Sequence, residues 1–226
     1  METLLIVDFG SQYNQLIARP VREAKVFCEI VPPSISVKEI RSKSVRGIIL
    51  SGGPASVYQK NSPKLNPEFL KLGVQILGIC YGMQALTHLL GGHVRRARQR
   101  EYGRAELFLR RRPGALFRGM PRKSVSWMSH GDYVARFPKG FVKTAYTKNT
   151  HTAAFENVRE KIYGVQFHPE VVHTEYGTRL LANFLFLVCG FSKSWTMKNF
   201  IRETVERVRR RVGKRHVILG LSGGVD

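Results

Sequence analysis

Short apolar runs alternate with helix-length segments through the first 90 residues of the chain. Four runs, at 3–8, 27–31, 47–50 and 74–79, are continuous enough to be strands that are buried on both faces. Helical spacing is seen over 16–24 and over 82–90, where Gly91 ends the pattern. Strands that alternate with helices predict an α/β fold with a parallel, doubly wound sheet.

Two segments modify this picture. Pro20 lies inside the first helical pattern, so we expect that helix to kink or to end early. From 93 to 166 the pattern changes to short β-rich runs, such as 105–109, 142–147 and 162–166, broken by Pro and Gly turns. The overall prediction is a mostly parallel central sheet flanked by helices, with a smaller antiparallel β portion.

The last part of the chain predicts a second unit. Helix returns over 175–189, residues 190–195 resemble a linker, and an amphipathic helix is predicted from Met197 to Val212. A final strand at 217–221 leads into the Gly-rich sequence SGGVD at 222–226. We therefore predict one domain over 1–190 and, over 191–226, the linker, helix and first strand and loop of a second domain that this sequence cuts short.

The chain is strongly basic: 226 residues carry 37 Lys and Arg against 16 Asp and Glu, a formal net charge of +21. About half of the basic residues fall in two windows, 94–123 and 198–215. This charge suggests a nucleic-acid partner, but neither window carries interleaved aromatics or a known reading module. A nucleic-acid partner is therefore disfavoured.

Neither a signal peptide nor a membrane span is predicted, because Asp8 interrupts the N-terminal apolar run and no long apolar stretch follows. The three cysteines, Cys28, Cys80 and Cys189, are too scattered for a disulfide framework or a zinc site. We expect a cytoplasmic protein with no metal in this domain.

The strongest local motif is GICYG at 78–82, between an apolar strand and a helix. It has the form of a nucleophile elbow with cysteine in place of serine. The glycines permit a sharp turn, and the helix N-terminus favours the thiolate of Cys80. We interpret Cys28 and Cys189, which lack flanking glycines, as core residues.

A cysteine nucleophile needs a base and a group that orients it, and FHPE at 167–170 supplies both. His168 follows a predicted strand, so it should emerge at the same sheet edge as Cys80. Glu170 can accept a hydrogen bond from the Nδ1 atom of His168 and fix its tautomer. The predicted catalytic residues are Cys80, His168 and Glu170.

An acyl-transfer site also needs donors for an oxyanion. The backbone N–H of Tyr81, directly after the nucleophile, is one candidate. The other is Gly53 in SGGP at 51–54, which follows a predicted strand and lets the backbone approach a ligand closely.

Several motifs together resemble the class I glutamine amidotransferases: GICYGMQ at 78–84, FHPE at 167–170 and SGGP at 51–54. Further segments resemble the GMP synthase branch of that family: VDFGSQY at 7–13, REYGRAE at 100–106 and WMSHGD at 127–132. The resemblance covers roughly 3–190 and implies a flavodoxin-like fold. SGGVD at 222–226 resembles the start of the ATP-pyrophosphatase loop of the synthetase domain in that branch.

The resemblance implies a reaction and a set of roles. Cys80 attacks the side-chain amide of L-glutamine, and the ammonia released serves the ATP-dependent amination of XMP to GMP in a complete enzyme, which needs ATP and Mg²⁺. A homodimer is expected for that enzyme. The implied glutamine-binding residues are Gly52, Gln84, Ser129, His130, Gly131 and Asp132, with 129–132 interpreted as a loop. The implied ATP-binding residues are Ser222, Gly223, Gly224 and Asp226.

Two alternatives remain open at this stage. The chain could be a class I amidotransferase that serves another acceptor. It could also be a non-catalytic basic module, on the same fold, that binds nucleic acid or an acidic protein.

Overall fold

A computed structural model describes residues 1–220, with the side chains of 98 and 99 left out. The predicted ATP-binding residues Ser222, Gly223, Gly224 and Asp226 lie outside the described residues. Within them, the chain divides into two compact units, 1–193 and the residues from 194 onward.

The first unit contains a single mixed sheet. In the described part of the chain the strands are β1 (Thr3–Val7), β2 (Phe27–Val31), β3 (Val45–Leu50), β4 (Gln75–Ile79), β5 (His93–Leu109), β6 (Lys123–Arg136), β7 (Val142–Tyr146), β8 (Ala154–Asn157) and β9 (Ile162–Val165). They lie in the order β2-β1-β3-β4-β9-β8-β7-β5-β6. Neighbours from β2 to β9 are parallel, and the remaining pairs are antiparallel. The predicted fold class is confirmed.

Helices of the first unit cover both faces of the parallel half of the sheet. The α-helices of the described residues are α1 (Asn14–Glu23), α2 (Val37–Arg41), α3 (Tyr81–Leu89), α4 (Gly177–Asn183) and α5 (Met197–Val212). On one face, Leu4 of β1 belongs to a core with Ile17 of α1 and Leu180 of α4. On the other face, Leu5 belongs to a core with Leu86 of α3. Because side chains alternate along a strand, both faces of β1 are buried, as its continuous apolar run predicts.

The first helix continues through Pro20 and ends at Glu23, so the predicted early end is wrong. Proline removes one backbone donor from the helix. However, Ile17 and Val21 on either side of it are buried, and the N–H of Ala24 donates to the Pro20 carbonyl at 2.9 Å. Tertiary packing of the apolar face therefore holds the last turn.

The second unit contains α5, whose N-cap Thr196 accepts a hydrogen bond from the backbone N–H of Asn199 at 3.1 Å. The predicted strand at 217–221 is not formed over 217–220. A strand requires a partner for its backbone groups, and no strand is described in this unit. None of the helices in the described residues is long and apolar enough to cross a bilayer.

Candidate active site

Cys80 occupies a strained turn between β4 and α3. Its φ and ψ angles are 49° and −104°, which a residue with a Cβ rarely adopts. The flanking glycines make the turn possible. A Cβ on Gly78 would lie 2.6 Å from the carbonyl carbon of Gly82, and a Cβ on Gly82 would lie 2.4 Å from the Leu50 oxygen. Both positions exclude any side chain, so the GICYG spacing reflects steric necessity.

His168 comes to the same edge of the sheet because β4 and β9 are parallel neighbours. Their register pairs Ile79 with Val165, so the two strands end at the same level of the sheet. The backbone of His168 is fixed on both sides: its N–H donates to the Trp127 carbonyl at 3.0 Å, and its carbonyl accepts from the Thr174 hydroxyl at 2.6 Å.

Glu170 orients the imidazole. Its Oε1 atom lies 2.8 Å from the Nδ1 atom of His168, and both side chains are buried. Nδ1 therefore donates to the carboxylate, which leaves Nε2 to exchange a proton. No hydrogen bond of good geometry reaches this buried Nε2 from a described residue, although the Cys80 thiol lies close enough to shift the pKa of the ring.

The electrostatics keep the imidazole protonated. Burial by itself lowers the pKa of His168, but the interactions with Cys80 and with Glu170 outweigh it and raise this pKa to about 10. The ring is thus an imidazolium at neutral pH. Positive charge beside a cysteine favours the nucleophilic thiolate.

We expect the Glu170→Gln substitution to lower the pKa of His168, because a neutral amide stabilises the imidazolium less than a carboxylate does. A raised histidine pKa stabilises the fold fully below pH 6.5, and this contribution is lost as pH rises through about 10. In the variant this contribution should be smaller and should be fully lost at a lower pH than in the wild type. An NMR titration of His168 and denaturant unfolding across this range measure both effects.

The exposed Glu160→Gln substitution is the control for that comparison. Titration of His168 at the same pH in the Glu170→Gln variant and in the wild type would contradict the role given to the carboxylate.

A cavity of about 860 Å³ opens beside these residues. Cys80, His168 and Gly53 line it, and so do four of the predicted glutamine-binding residues on one strand, Ser129, His130, Gly131 and Asp132, together with Gln84. Gly52 lies against the imidazole of His168, since a Cβ there would be 3.0 Å from the Cε1 atom of that ring. The structure therefore brings the predicted residues of the glutaminase site together.

The segment 129–132 is part of β6, so its interpretation as a loop is wrong. It pairs with β5 in a register that shifts between Arg96 and Glu101, where four residues of β5 bulge out of the ladder. The bulged residues lie opposite Gly131 of β6. Ser129 remains at the site, and its carbonyl lies 3.7 Å from the Cys80 sulfur.

The two predicted oxyanion donors lie at the start of α3 and after β3. Tyr81 is the first residue of α3, and the first N–H groups of a helix have no partner within it. Gly53 packs closely against the loop that follows β1, because a Cβ on Gly53 would lie 2.5 Å from the Phe9 carbonyl oxygen. The hydroxyl of Ser51 fixes the same region by accepting from the Phe9 N–H at 2.9 Å.

Gln166 is a neighbour of Cys80 that the sequence motifs did not predict. It is fully buried, and its Nε2 atom donates to the Cys80 sulfur at 3.6 Å. Gln84 connects to it: the amide of Gln84 donates to the Gln166 Oε1 atom at 3.3 Å and to the Asp132 carbonyl at 2.9 Å. The available signal was spacing, since residues two apart on an extended chain share a face and Gln166 precedes His168 by two.

Among the described residues, no group of three or more His, Cys, Asp or Glu side chains could hold a metal ion.

Together, the fold and this geometry define an α/β protein with a cysteine nucleophile elbow beside a His–Glu pair. A family model described as "Glutamine amidotransferase class-I" matches residues 5–188. The chain belongs to this family, which confirms the predicted resemblance.

Within this family, the chain is similar to curated proteins that share one name. Proteins named "GMP synthase [glutamine-hydrolyzing]" from Caldanaerobacter subterraneus subsp. tengcongensis and Acetivibrio thermocellus are 53% and 51% identical over 225 residues. Each alignment covers 100% of this chain but only 44% of the relative. The chain thus spans less than half the length of the curated relatives it matches.

The fold agrees with a solved structure. A crystal structure of a glutamine amidotransferase from Thermotoga maritima superimposes with a TM-score of 0.61 at 19% identity, and the match covers 92% of each chain. At this identity the likeness concerns the fold alone.

Proposed function

We propose that this chain is the glutaminase part of a GMP synthase and that it hydrolyses L-glutamine through Cys80, His168 and Glu170. The observation that carries the proposal is the buried His168–Glu170 pair beside the strained Cys80, at the rim of one cavity. Family membership and the similarity to GMP synthases indicate that the substrate is glutamine.

In the first half of the reaction, the thiolate of Cys80 attacks the amide carbon of glutamine. The N–H groups of Gly53 and Tyr81 stabilise the oxyanion that forms. His168 gives its Nε2 proton to the leaving nitrogen, the C–N bond breaks, and ammonia departs from a γ-glutamyl thioester.

In the second half, neutral His168 takes a proton from water, which attacks the thioester carbon. The C–S bond breaks to give glutamate and the Cys80 thiolate, and His168 is again protonated. The balance is one glutamine and one water consumed for one glutamate and one ammonia formed. Glu170 keeps the ring orientation constant throughout.

The charges around the cavity suit an amino-acid substrate. Arg96 and Arg100 line it, and their guanidinium groups attract a carboxylate. Asp132 lines it as well and attracts an ammonium group. Glutamine carries both of these groups next to its reactive amide.

In the complete protein, we propose that the ammonia is used on XMP that ATP has activated, which yields GMP. We assign that step, with its ATP and Mg²⁺, and the homodimeric assembly to the part of the protein that this chain does not contain, since the chain covers only 44% of its relative.

The direct test is incubation of the chain with L-glutamine labelled with ¹⁵N at the amide. Labelled ammonia and glutamate should form in equal amounts. If neither forms, and if Cys80 also fails to react with an electrophilic analogue of glutamine, the proposal is wrong. GMP formation from XMP, ATP and glutamine by the whole protein tests the wider step.

A further inference from the structure

The side chain of Gln166 contacts the Cys80 sulfur but transfers no proton in the reaction proposed above. Gln166 directly follows the last residue of β9 and is fully buried. Its backbone N–H donates to the Ala153 carbonyl at 2.8 Å, and the backbone N–H of Cys80 donates to the Val165 carbonyl at 2.8 Å. These two bonds fix the backbones of Gln166 and Cys80 next to each other at the edge of the sheet.

A series of hydrogen bonds determines which end of the Gln166 amide faces the sulfur. A backbone carbonyl can only accept, so the end of the Gln84 amide that lies 2.9 Å from the Asp132 carbonyl is its nitrogen, Nε2. The second hydrogen of this Nε2 atom is donated to the Gln166 amide at 3.3 Å, so the end that receives it is the oxygen, Oε1. The nitrogen of Gln166 is therefore the end that lies 3.6 Å from the Cys80 sulfur.

The sulfur requires such a donor because it is buried beside an acceptor. Cys80 is 4% exposed, and the Ser129 carbonyl oxygen lies 3.7 Å from its sulfur. A thiol can donate its hydrogen to that carbonyl, whereas a thiolate is repelled by it. A buried anion also needs donors in place of the water that it has lost. A hydrogen bond from Gln166 to the sulfur therefore favours the thiolate over the thiol.

His168 cannot be the permanent donor to the sulfur, because its proton is consumed in the reaction. The imidazolium gives its Nε2 proton to the leaving nitrogen, and the ring regains a proton from water before the C–S bond breaks. An amide N–H keeps its hydrogen at every step. The Gln166 donor is thus in place when the thiolate attacks and again when the thiolate leaves the thioester.

We propose that Gln166 is a catalytic residue whose amide N–H stabilises the Cys80 sulfur as a thiolate, and that Gln84 is the positioning residue that orients this amide. The inference deepens the proposed function and rests on it for the identity of the reaction. Gln166 is fully buried and has no surface that a substrate could contact. It therefore acts on the reactivity of the sulfur and not on the binding of glutamine.

The first test measures the reactivity of Cys80 in the absence of glutamine. The Gln166→Met substitution keeps a long, unbranched side chain but removes the N–H donor. We expect alkylation of Cys80 by iodoacetamide at neutral pH, followed by mass spectrometry, to slow about tenfold. The ultraviolet absorbance of the thiolate, measured as the difference from the same chain with Cys80→Ala, should fall as well. Simple support of the fold would not change this absorbance.

The second test separates reactivity from binding. Glutamate release by the Gln166→Met chain should slow by about the same factor as the alkylation. The dissociation constant for L-glutamine, measured by calorimetry in the Cys80→Ala background, should be unchanged by Gln166→Met.

The matched control is Gln75→Met, the same substitution at the first residue of β4, at the end of the strand away from Cys80. It should change neither the alkylation rate nor the absorbance. If Gln166→Met does not fold, Gln84→Met replaces it as the test. Without the Gln84 donor, the Gln166 amide can turn its oxygen toward the sulfur, so the alkylation should again slow.

The inference would be overturned if alkylation and thiolate absorbance were unchanged in the folded Gln166→Met chain, or in the Gln84→Met chain that stands in for it. Equal losses in the Gln75→Met chain, or a loss of glutamine affinity as large as the loss of rate, would overturn it too. Failure of the proposed function looks different. In that case the thiolate readouts would respond to Gln166→Met, but the wild-type chain would neither release glutamate nor react with an electrophilic analogue of glutamine.

Discussion

The Cys80→Ala chain is expected to release glutamate from glutamine roughly 10⁴-fold more slowly than the wild type, or not detectably. The substitution removes the only atom that can form the thioester, and the oxyanion donors alone give little rate. It leaves the turn in place, because alanine meets the same backbone restriction as cysteine. The measurement is glutamate release at saturating glutamine.

The matched control for that experiment is Cys28→Ala. Cys28 is also buried, but its sulfur contacts the Ala18 carbonyl at 3.7 Å in the core under α1, away from the cavity residues. Its loss should lower stability by about 1 kcal/mol and leave the rate unchanged. Full activity of the Cys80→Ala chain would refute the assignment of the nucleophile.

The second large effect is expected for His168→Asn, which should slow glutamate release by about 10²- to 10⁴-fold. Without the imidazole, no group at the site donates a proton to the leaving nitrogen or activates water for the second step. The imidazolium that favours the thiolate is lost as well, so alkylation of Cys80 by iodoacetamide at neutral pH should also slow. Both rates are measured on the same preparation.

The matched control is His173→Asn, which tests whether the loss of any nearby histidine slows glutamate release and Cys80 alkylation. His173 is exposed, and its ring packs against Trp127 with centroids 4.6 Å apart. We expect both rates to be unaffected. If the two asparagine variants lose activity equally, His168 has no special role in proton transfer.

The nucleophile elbow and the His–Glu pair could be predicted from sequence because their requirements are local. Gly78 is fixed by its contact with Gly82 within the same turn, and Glu170 is two residues from His168, although Gly82 itself packs against Leu50 of β3. The parallel pairing of β4 with β9 follows from two apolar runs, and it places both motifs at one edge.

Other parts of the site depend on contacts between distant segments. Glu101 is held by threonines 46 and 49 residues away, and Gln166 reaches a sulfur 86 residues away. No local pattern marks such partners. The β5–β6 hairpin was also underpredicted, because its bulge interrupts the alternation that identifies a strand.

The proposed reaction requires Cys80 to be the thiol that reacts with the amide position of glutamine. A diazoketone analogue of L-glutamine, followed by mass spectrometry of the digested chain, tests this without any need for turnover. We expect a single adduct, on the peptide that contains Cys80, and we expect added L-glutamine to protect against the labelling. Labelling of Cys28 or Cys189 with Cys80 untouched, or no labelling in a folded chain, would contradict it.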